Sequence, residues 1–211
     1  MTKTQGILFI VSAPSGTGKT SLIQEVLKAK TSSSAQLSIS HTTRKKRSGE
    51  KNGLHYYFIS HEEFIKMIKN GEFLEYVRIF GHFYGTSRSS IESILSLGVD
   101  VFLDINWQGS QQIRKKIPNF FICSIFILPP SKEELVRRLY HRGQESTQSI
   151  AKRIEQAVTE MKHYQEYDYL IINDIYEQAV LDLKNIINAE GLKKHQQVQR
   201  NSNILSKLLK D

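Results

Sequence analysis

The stretch Ile7-Leu-Phe-Ile-Val-Ser-Ala-Pro-Ser-Gly-Thr-Gly-Lys-Thr-Ser21 decides the fold. Ile7 to Val11 is a continuous apolar run, as expected of a parallel strand buried on both faces. Gly16 and Gly18 follow, and glycine reaches backbone angles that residues with a Cβ avoid. Lys19, Thr20 and Ser21 come next, and Leu22, Ile23, Val26 and Leu27 recur at helical spacing. Strand, glycine loop, Lys-Thr and helix together make a phosphate-binding loop. Backbone N–H groups and the positive helix end cradle phosphate oxygens, Lys19 reaches the terminal phosphates, and the Thr20 hydroxyl ligates Mg²⁺. The candidate nucleotide ligands are therefore Ala13, Pro14, Ser15, Gly16, Thr17, Gly18, Lys19, Thr20 and Ser21. Ala13 stands where the general signature has glycine.

Working outward, 211 residues suffice for one generous domain, or a core carrying small inserted lobes, and 39% hydrophobic residues can fill it. A formal charge of +8 points to polyanionic partners such as nucleotides, nucleic acid or an anionic surface. The single cysteine, Cys123, excludes an internal disulfide, fits a reducing compartment and reads as core filler. The first residues carry no apolar leader and no stretch approaches membrane-spanning length, so a cytoplasmic protein without membrane partners is expected.

In chain order, Gln36–Ser40 alternates like a short strand, and residues 41–53 form a basic loop punctuated by glycines. His55–Ser60 is strand-like, and Ser60 with Glu63 caps a helix to about Lys69. Phe73–Thr86 reads as strands with turns at Gly81 and Gly85. Residues 41–88 thus form a lobe inserted after the second strand of the main sheet. Val99–Ile105 is a buried strand carrying Asp104 at its end, the usual place for a carboxylate facing the Mg²⁺ of a phosphate-loop enzyme. Phe121–Leu128 is another strand, and Ser131 with Glu134 caps a helix ending near Arg142. A helix over about 150–166, a strand at Tyr169–Asn173 and a helix over 175–188 complete an α/β alternation, which calls for a parallel sheet with right-handed crossovers. In the basic tail, residues 191–211, Ile204, Leu205, Leu208 and Leu209 share a helical face. They leave two readings: a frayed terminal helix, or a subunit contact in a homo-oligomer.

The second informative segment is Ser40-His-Thr-Thr-Arg44-Lys-Lys-Arg47-Ser-Gly49-Glu50, with Gly53 and Tyr56 beyond it. A four-residue basic run is ordinarily solvated charge. Here it lies among glycines and hydroxyls, with Tyr56 and Tyr84 downstream. Arginine forks with Tyr and Ser hydroxyls suit a phosphate monoester, which they bind bidentately.

These motifs together resemble the guanylate kinases of the bacterial kind. The phosphate loop with Ala at its first position and the Ser-His-Thr-Thr-Arg segment match. So do Glu72-Phe-Leu-Glu75, Tyr84-Gly-Thr86, Leu103–Gly109, Pro129–Ser131, Arg142-Gly143 and Ile172–Asp174, in order, over residues 5–190. The resemblance implies a phosphate-loop nucleoside-monophosphate kinase, with a parallel core at 5–40 and 89–190, a GMP lobe at 41–88 and a lid at about 142–152. It also implies ATP as phosphoryl donor. By it, Arg44, Arg47, Tyr56 and Tyr84 hold the GMP phosphate with Ser40 nearby, and Glu75, Thr86 and Asn106 read guanine. The chemistry agrees, because guanine's N1–H and N2–H₂ want acceptors such as Glu75, and its O6 wants a donor such as Thr86. Asn106 departs from the family's Asp, keeping one acceptor oxygen but losing the charge.

On the residues alone, Arg138, Arg142 and Arg153 fit either a solvated basic face or a lid over phosphates. The resemblance favours the lid. With Lys19 and Arg44 they are the candidate catalytic residues, and Thr20 with Asp104 the candidate metal ligands. Two rivals are a catalytically silent binding module of the same fold and an RNA-binding protein. The first does not need Lys19, Thr20, Arg44 and Asp104 together, and the second would need an aromatic-interleaved recognition motif that is absent from the sequence.

Overall fold

A computed structural model describes residues 5–28, 35–117, 122–141 and 147–209. The apolar run near the N-terminus forms β1 (Leu8–Ser12), with all five residues buried. It is the middle strand of a five-stranded sheet with β2 (Ala35–Leu37), β7 (Asp100–Asp104), β8 (Ile122–Leu128) and β9 (Tyr169–Ile172), in the order β2-β7-β1-β8-β9. Every pairing in that sheet is parallel, which is why its strands read as unbroken apolar runs rather than alternating ones. The carboxyl ends of β1 and β7 lie side by side, Val11 opposite Asp104. In such a sheet that edge is where ligands bind.

One face of the sheet is covered by α1 (Lys19–Lys28) and α7 (Tyr176–Leu192). Leu22, Ile23 and Val26 of α1 meet Ala179, Leu183 and Ile187 of α7 over Phe9, Val11 and Ile125. The other face is covered by α3 (Arg88–Ser96) and α4 (Trp107–Arg114), whose Ile91, Leu95 and Ile113 pack on Leu8, Ile10 and Leu103. Each such buried aliphatic side chain contributes roughly 1.5–3 kcal/mol, so the two faces pin β1 and the loop that leaves it. A smaller cluster joins α5 (Lys132–His141) to α6 (Thr147–Met161) through Leu135, Leu139 and Ala157.

A second sheet, β4-β3-β6-β5, is built from β3 (His41–Thr42), β4 (Tyr57–Phe58), β5 (Phe73–Ile79) and β6 (His82–Ser87). Phe64 of α2 (His61–Lys69) stacks on Phe73 beneath it, and Ser60 accepts the Glu63 N–H at the N-terminus of α2. The hairpin turn falls at Phe80-Gly81, with Ile79 opposite His82. Gly85, expected to form a turn, instead lies inside β6. A Cβ there would come within 2.9 Å of both the Phe64 and Phe73 rings, so packing accounts for that glycine. Beyond α7 the tail forms α8 (Lys194–Arg200) and α9 (Ser202–Leu208), with Ile204, Leu208 and Leu209 exposed.

Candidate active site

The loop between β1 and α1 turns on Gly16 and Gly18, both at φ +93°. Close packing adds a second reason for glycine at these positions. A Cβ on Gly16 would meet Leu139 at 2.9 Å, and one on Gly18 the Asn173 amide at 2.8 Å. Buried Thr17 closes the loop by donating to the Pro14 carbonyl at 2.8 Å. Behind it, the Asn173 amide donates to the Thr17 carbonyl at 2.7 Å. The loop is thus held from the rear, with the Thr17 N–H also turned back onto the Pro14 carbonyl at 3.3 Å.

At the end of β7 the Asp104 carboxylate joins two groups of α1. Lys19 Nζ is 2.6 Å from Oδ1 and also donates to the Ile105 carbonyl at 2.9 Å. Thr20 donates its hydroxyl to Oδ2 at 2.5 Å. These are hard oxygen donors, the kind Mg²⁺ prefers. Among the described residues no group of three or more His, Cys, Asp or Glu could hold a metal by itself.

Loop, α1, the second sheet and α6 enclose one cleft of about 340 Å³. Its lining includes the whole predicted phosphate loop, Ala13 to Ser21, with Ser40, Arg44, Arg47, Tyr56, Glu75, Tyr84, Asp104, Asn106 and Arg153. Arg44 lies over the Tyr56 ring at 5.5 Å and the Phe58 ring at 5.7 Å. Its guanidinium makes a two-pronged pair with Glu50, at 2.7 and 3.0 Å. That pair, opposed by burial, holds the Glu50 carboxyl down at about 2. Burial pushes the Tyr56 phenol up to about 12, keeping it a neutral hydroxyl.

The opposite corner is organised by Glu75, which is only 2% exposed. Thr86, fully buried, donates its hydroxyl to Glu75 Oε1 at 2.6 Å. Desolvation pushes the Glu75 carboxyl up to about 7, and the Thr86 bond and the Lys116 charge only partly oppose it. Thr86 was expected to offer its hydroxyl hydrogen to a base. Here that hydrogen goes to Glu75, and Thr86 stands behind the carboxylate. Asn106 lies on the cleft wall and caps α4, its Oδ1 accepting the Gly109 N–H at 3.1 Å. A Cβ on Gly109 would lie 2.5 Å from Glu75 Oε2, so only glycine lets the carboxylate close on this helix start.

Of the predicted lid arginines, Arg153 reaches the loop and donates to the Ser15 hydroxyl at 2.8 Å, while its guanidinium faces the Phe80 ring at 5.5 Å. Arg138 approaches from the rear. It pairs with Glu134 at 2.7 Å and donates to the carbonyls of Asn173 at 3.0 Å and Thr17 at 3.5 Å. It therefore braces the loop in this structure. Arg142 lies outside the described residues. Gln156 and Glu160 also line the cleft, and sequence reasoning missed them. Their spacing of three and seven residues from Arg153 puts all three on one face of α6, a signal that could have found them. Burial raises the Glu160 carboxyl, against the charges of Lys19 and His163. Trp107, expected to serve packing, stacks on His163 with ring centroids 3.5 Å apart.

The comparisons with known proteins agree with this geometry. The guanylate kinase family model matches residues 5–190. The chain is 58% identical over 207 residues to guanylate kinase of Escherichia coli (strain K12), covering 98% of this chain and 99% of that protein. It is 59% identical to guanylate kinase of Yersinia pestis bv. Antiqua (strain Antiqua), over the same shares. The crystal structure of guanylate kinase from Anaplasma phagocytophilum superposes with a TM-score of 0.79 at 33% identity, covering 99% of this chain and 98% of that one. The chain belongs to the guanylate kinase family.

Proposed function

We propose that this protein transfers the γ-phosphoryl group of ATP to the phosphate of GMP, giving ADP and GDP. The observation that carries this reading is a single cleft with a phosphate-binding loop on one wall. On the other walls stand an arginine-and-tyrosine cluster and a buried carboxylate. The names of the relatives support it. Loop N–H groups and Lys19 would bind the donor phosphates, with Arg153, and Arg142 from the 142–152 lid, closing over them. Arg44, Arg47, Tyr56, Tyr84 and Ser40 would hold the acceptor phosphate in line. Glu75 and Asn106 would read the base from the 41–88 lobe. Thr86 would orient Glu75 and Arg138 would brace the loop.

Phosphoryl transfer asks mainly for positioning and charge neutralisation. Lys19 would follow charge onto the leaving oxygen, and the arginines would neutralise the migrating group. Mg²⁺, when bound by Thr20 and Asp104, would supply further neutralisation of the donor phosphates. A cytoplasmic site of action belongs to the same proposal. The test is ADP release from ATP with GMP, AMP or no acceptor. Release that depends on GMP and is at least tenfold slower with AMP is expected. Release indifferent to GMP would overturn the reading.

A further inference from the structure

A guanidinium has five N–H hydrogens in a fixed fork, and the bonds of Arg44 show which edge of that fork faces the substrate. Its end edge is taken by Glu50, Nη2 donating to Oε1 at 2.7 Å and Nη1 to Oε2 at 3.0 Å. The outer Nη1 hydrogen goes to the carbonyl of neighbouring Lys45 at 2.8 Å. The Nε–H and the second Nη2 hydrogen form the side edge, itself a two-pronged donor, and the Tyr84 hydroxyl also interacts with this guanidinium. The Arg44 guanidinium carbon lies over the Tyr56 ring at 5.5 Å and the Phe58 ring at 5.7 Å. The same Glu50 carboxylate reaches a second arginine. Oε2 accepts the Arg47 backbone N–H at 2.7 Å, while the Glu50 N–H donates to the Arg47 carbonyl at 3.2 Å. Gly49, at φ +82°, lets the turn between them close.

The geometry points to Glu50 as a positioning residue for the acceptor-phosphate clamp. It fixes the end edge of Arg44 and the backbone of Arg47, so that the side edge of Arg44 meets the phosphate. A carboxylate beside a phosphate site invites the opposite view, that Glu50 competes with the substrate for Arg44. The hydrogen count favours positioning, since a phosphate can bind bidentately at the side edge while Glu50 stays in place. Arg44 is raised above its ordinary value, chiefly by its hydrogen bond to Glu50, so the pair remains charged throughout the working range. An arginine released from this anchor would swing among rotamers and hold the phosphate less well, and the attacking oxygen would lose its alignment.

This inference rests on the clamp reading of Arg44, and one set of variants separates the two. Glu50→Gln keeps the shape but places an amide NH₂ against the guanidinium. It is expected to raise the KM for GMP about tenfold, the scale of one charge-assisted bond. It should also lower kcat and leave the KM for ATP within about twofold. Arg44→Ala should raise the GMP KM further, and Glu50→Gln added to it should cost clearly less than it does alone, because Glu50 acts mainly through Arg44 and only in part through the Arg47 backbone. Lys45→Ala, at an exposed position, serves as the control for plain charge loss. Glu50→Asp, too short to span both arginines, should show the same KM and kcat pattern at smaller size. It carries the test if a thermal melt shows Glu50→Gln to be unfolded. An unchanged or tighter GMP interaction in the glutamine form, or full additivity with Arg44→Ala, overturns the positioning role and leaves the clamp standing. An Arg44→Ala enzyme with wild-type GMP kinetics overturns both.

Discussion

The two walls of the cleft are made by different means. The proposed donor wall is nine consecutive residues that would ligate phosphate largely through backbone N–H groups, shaped by two glycines and held from behind by Asn173, Arg138 and Leu139. The acceptor wall takes single side chains from distant points: Ser40, Arg44, Tyr56, Glu75, Tyr84 and Asn106. A backbone site draws its strength from fixed dipoles and a helix end, which do not titrate. A side-chain site draws it from charges, and the most buried of these, Glu75, has its carboxyl pushed into the neutral range. Damage to the first wall should therefore appear in turnover. Damage to the second should appear in GMP affinity, base choice and pH dependence.

The sharpest way to break that contrast is at Lys19, a side chain that the proposed donor wall would use. Lys19→Ala is expected to lower turnover by about 10²–10³-fold, the scale of removing one preorganised transition-state donor. GMP binding by calorimetry should stay within about twofold, and the melting temperature should shift by only a few degrees. Turnover within a few-fold of wild type would show that the loop binds phosphate without taking part in transfer.

The acceptor wall can be struck with a single methyl group. In Gly109→Ala the new Cβ would lie 2.5 Å from Glu75 Oε2, so the carboxylate must shift, straining the bond by which Thr86 holds its other oxygen. Alanine is the better helix former by about 1 kcal/mol, so the melt should change little. GMP affinity should drop about tenfold and ATP affinity should not move. Equal losses for both nucleotides would mean that α4 had shifted as a whole.

The same contrast governs what the sequence could reveal. The donor wall was legible because a backbone site needs its residues adjacent, and Gly16, Gly18 and Lys19 stand in one run. The parallel sheet was legible from apolar strands spaced by helices. The helix α4, which carries Asn106 and Gly109, has no readable signature. Its opening residues, Trp107-Gln-Gly-Ser, lack an apolar period and include a poor helix former. Gly85 looked like a turn because its role, letting two phenylalanine rings approach, lies in residues far along the chain. Asn106 was named as a base reader, but its capping bond to Gly109 depends on that unread helix. The Glu50–Arg44 pair was likewise hidden, although both residues lie in the quoted motif, since spacing alone does not show which edge of a guanidinium is occupied.

The pH response should separate the walls further. Glu75 titrates near 7 in the native protein against 4.5 for its unperturbed group. Between those values the native state keeps a proton that the unfolded chain has lost. Unfolding free energy must then fall as pH rises from about 4.5 to about 7, by at most about 3 kcal/mol, and level off above. Guanine's donors favour the ionised form, so GMP binding should release a proton, and affinity should rise several-fold from pH 6 to pH 8. Glu75→Gln should flatten both trends, which distinguishes them from titration of the GMP phosphate. The measurements are melts across pH, and calorimetry in two buffers of different ionisation enthalpy. A stability profile in Glu75→Gln as steep as wild type would place the titrating group elsewhere.

The smallest expected effect is at Asn106, where the chain departs from its family's aspartate. Its Oδ1 is engaged with the Gly109 N–H at the start of α4, so the amide NH₂ is what remains for the cleft, a donor facing a base edge that is itself made of donors. Asn106→Asp keeps the cap, since aspartate and asparagine serve about equally well there. It also puts a charge at the positive helix end, worth about 0.3–1 kcal/mol of stability. The second carboxylate oxygen would replace the NH₂ and accept from guanine, which should tighten GMP by a few-fold and widen the preference over AMP. Against that, a new negative charge close to Glu75 raises the Glu75 carboxyl further, so the gain should be full at pH 8 and fade below about pH 7. GMP and AMP binding at pH 6 and pH 8 on both forms decides the matter. If the substitution stabilises the protein yet leaves base choice untouched at pH 8, residue 106 is a helix cap and nothing more, and Glu75 alone among the acidic groups of the cleft wall reads the base.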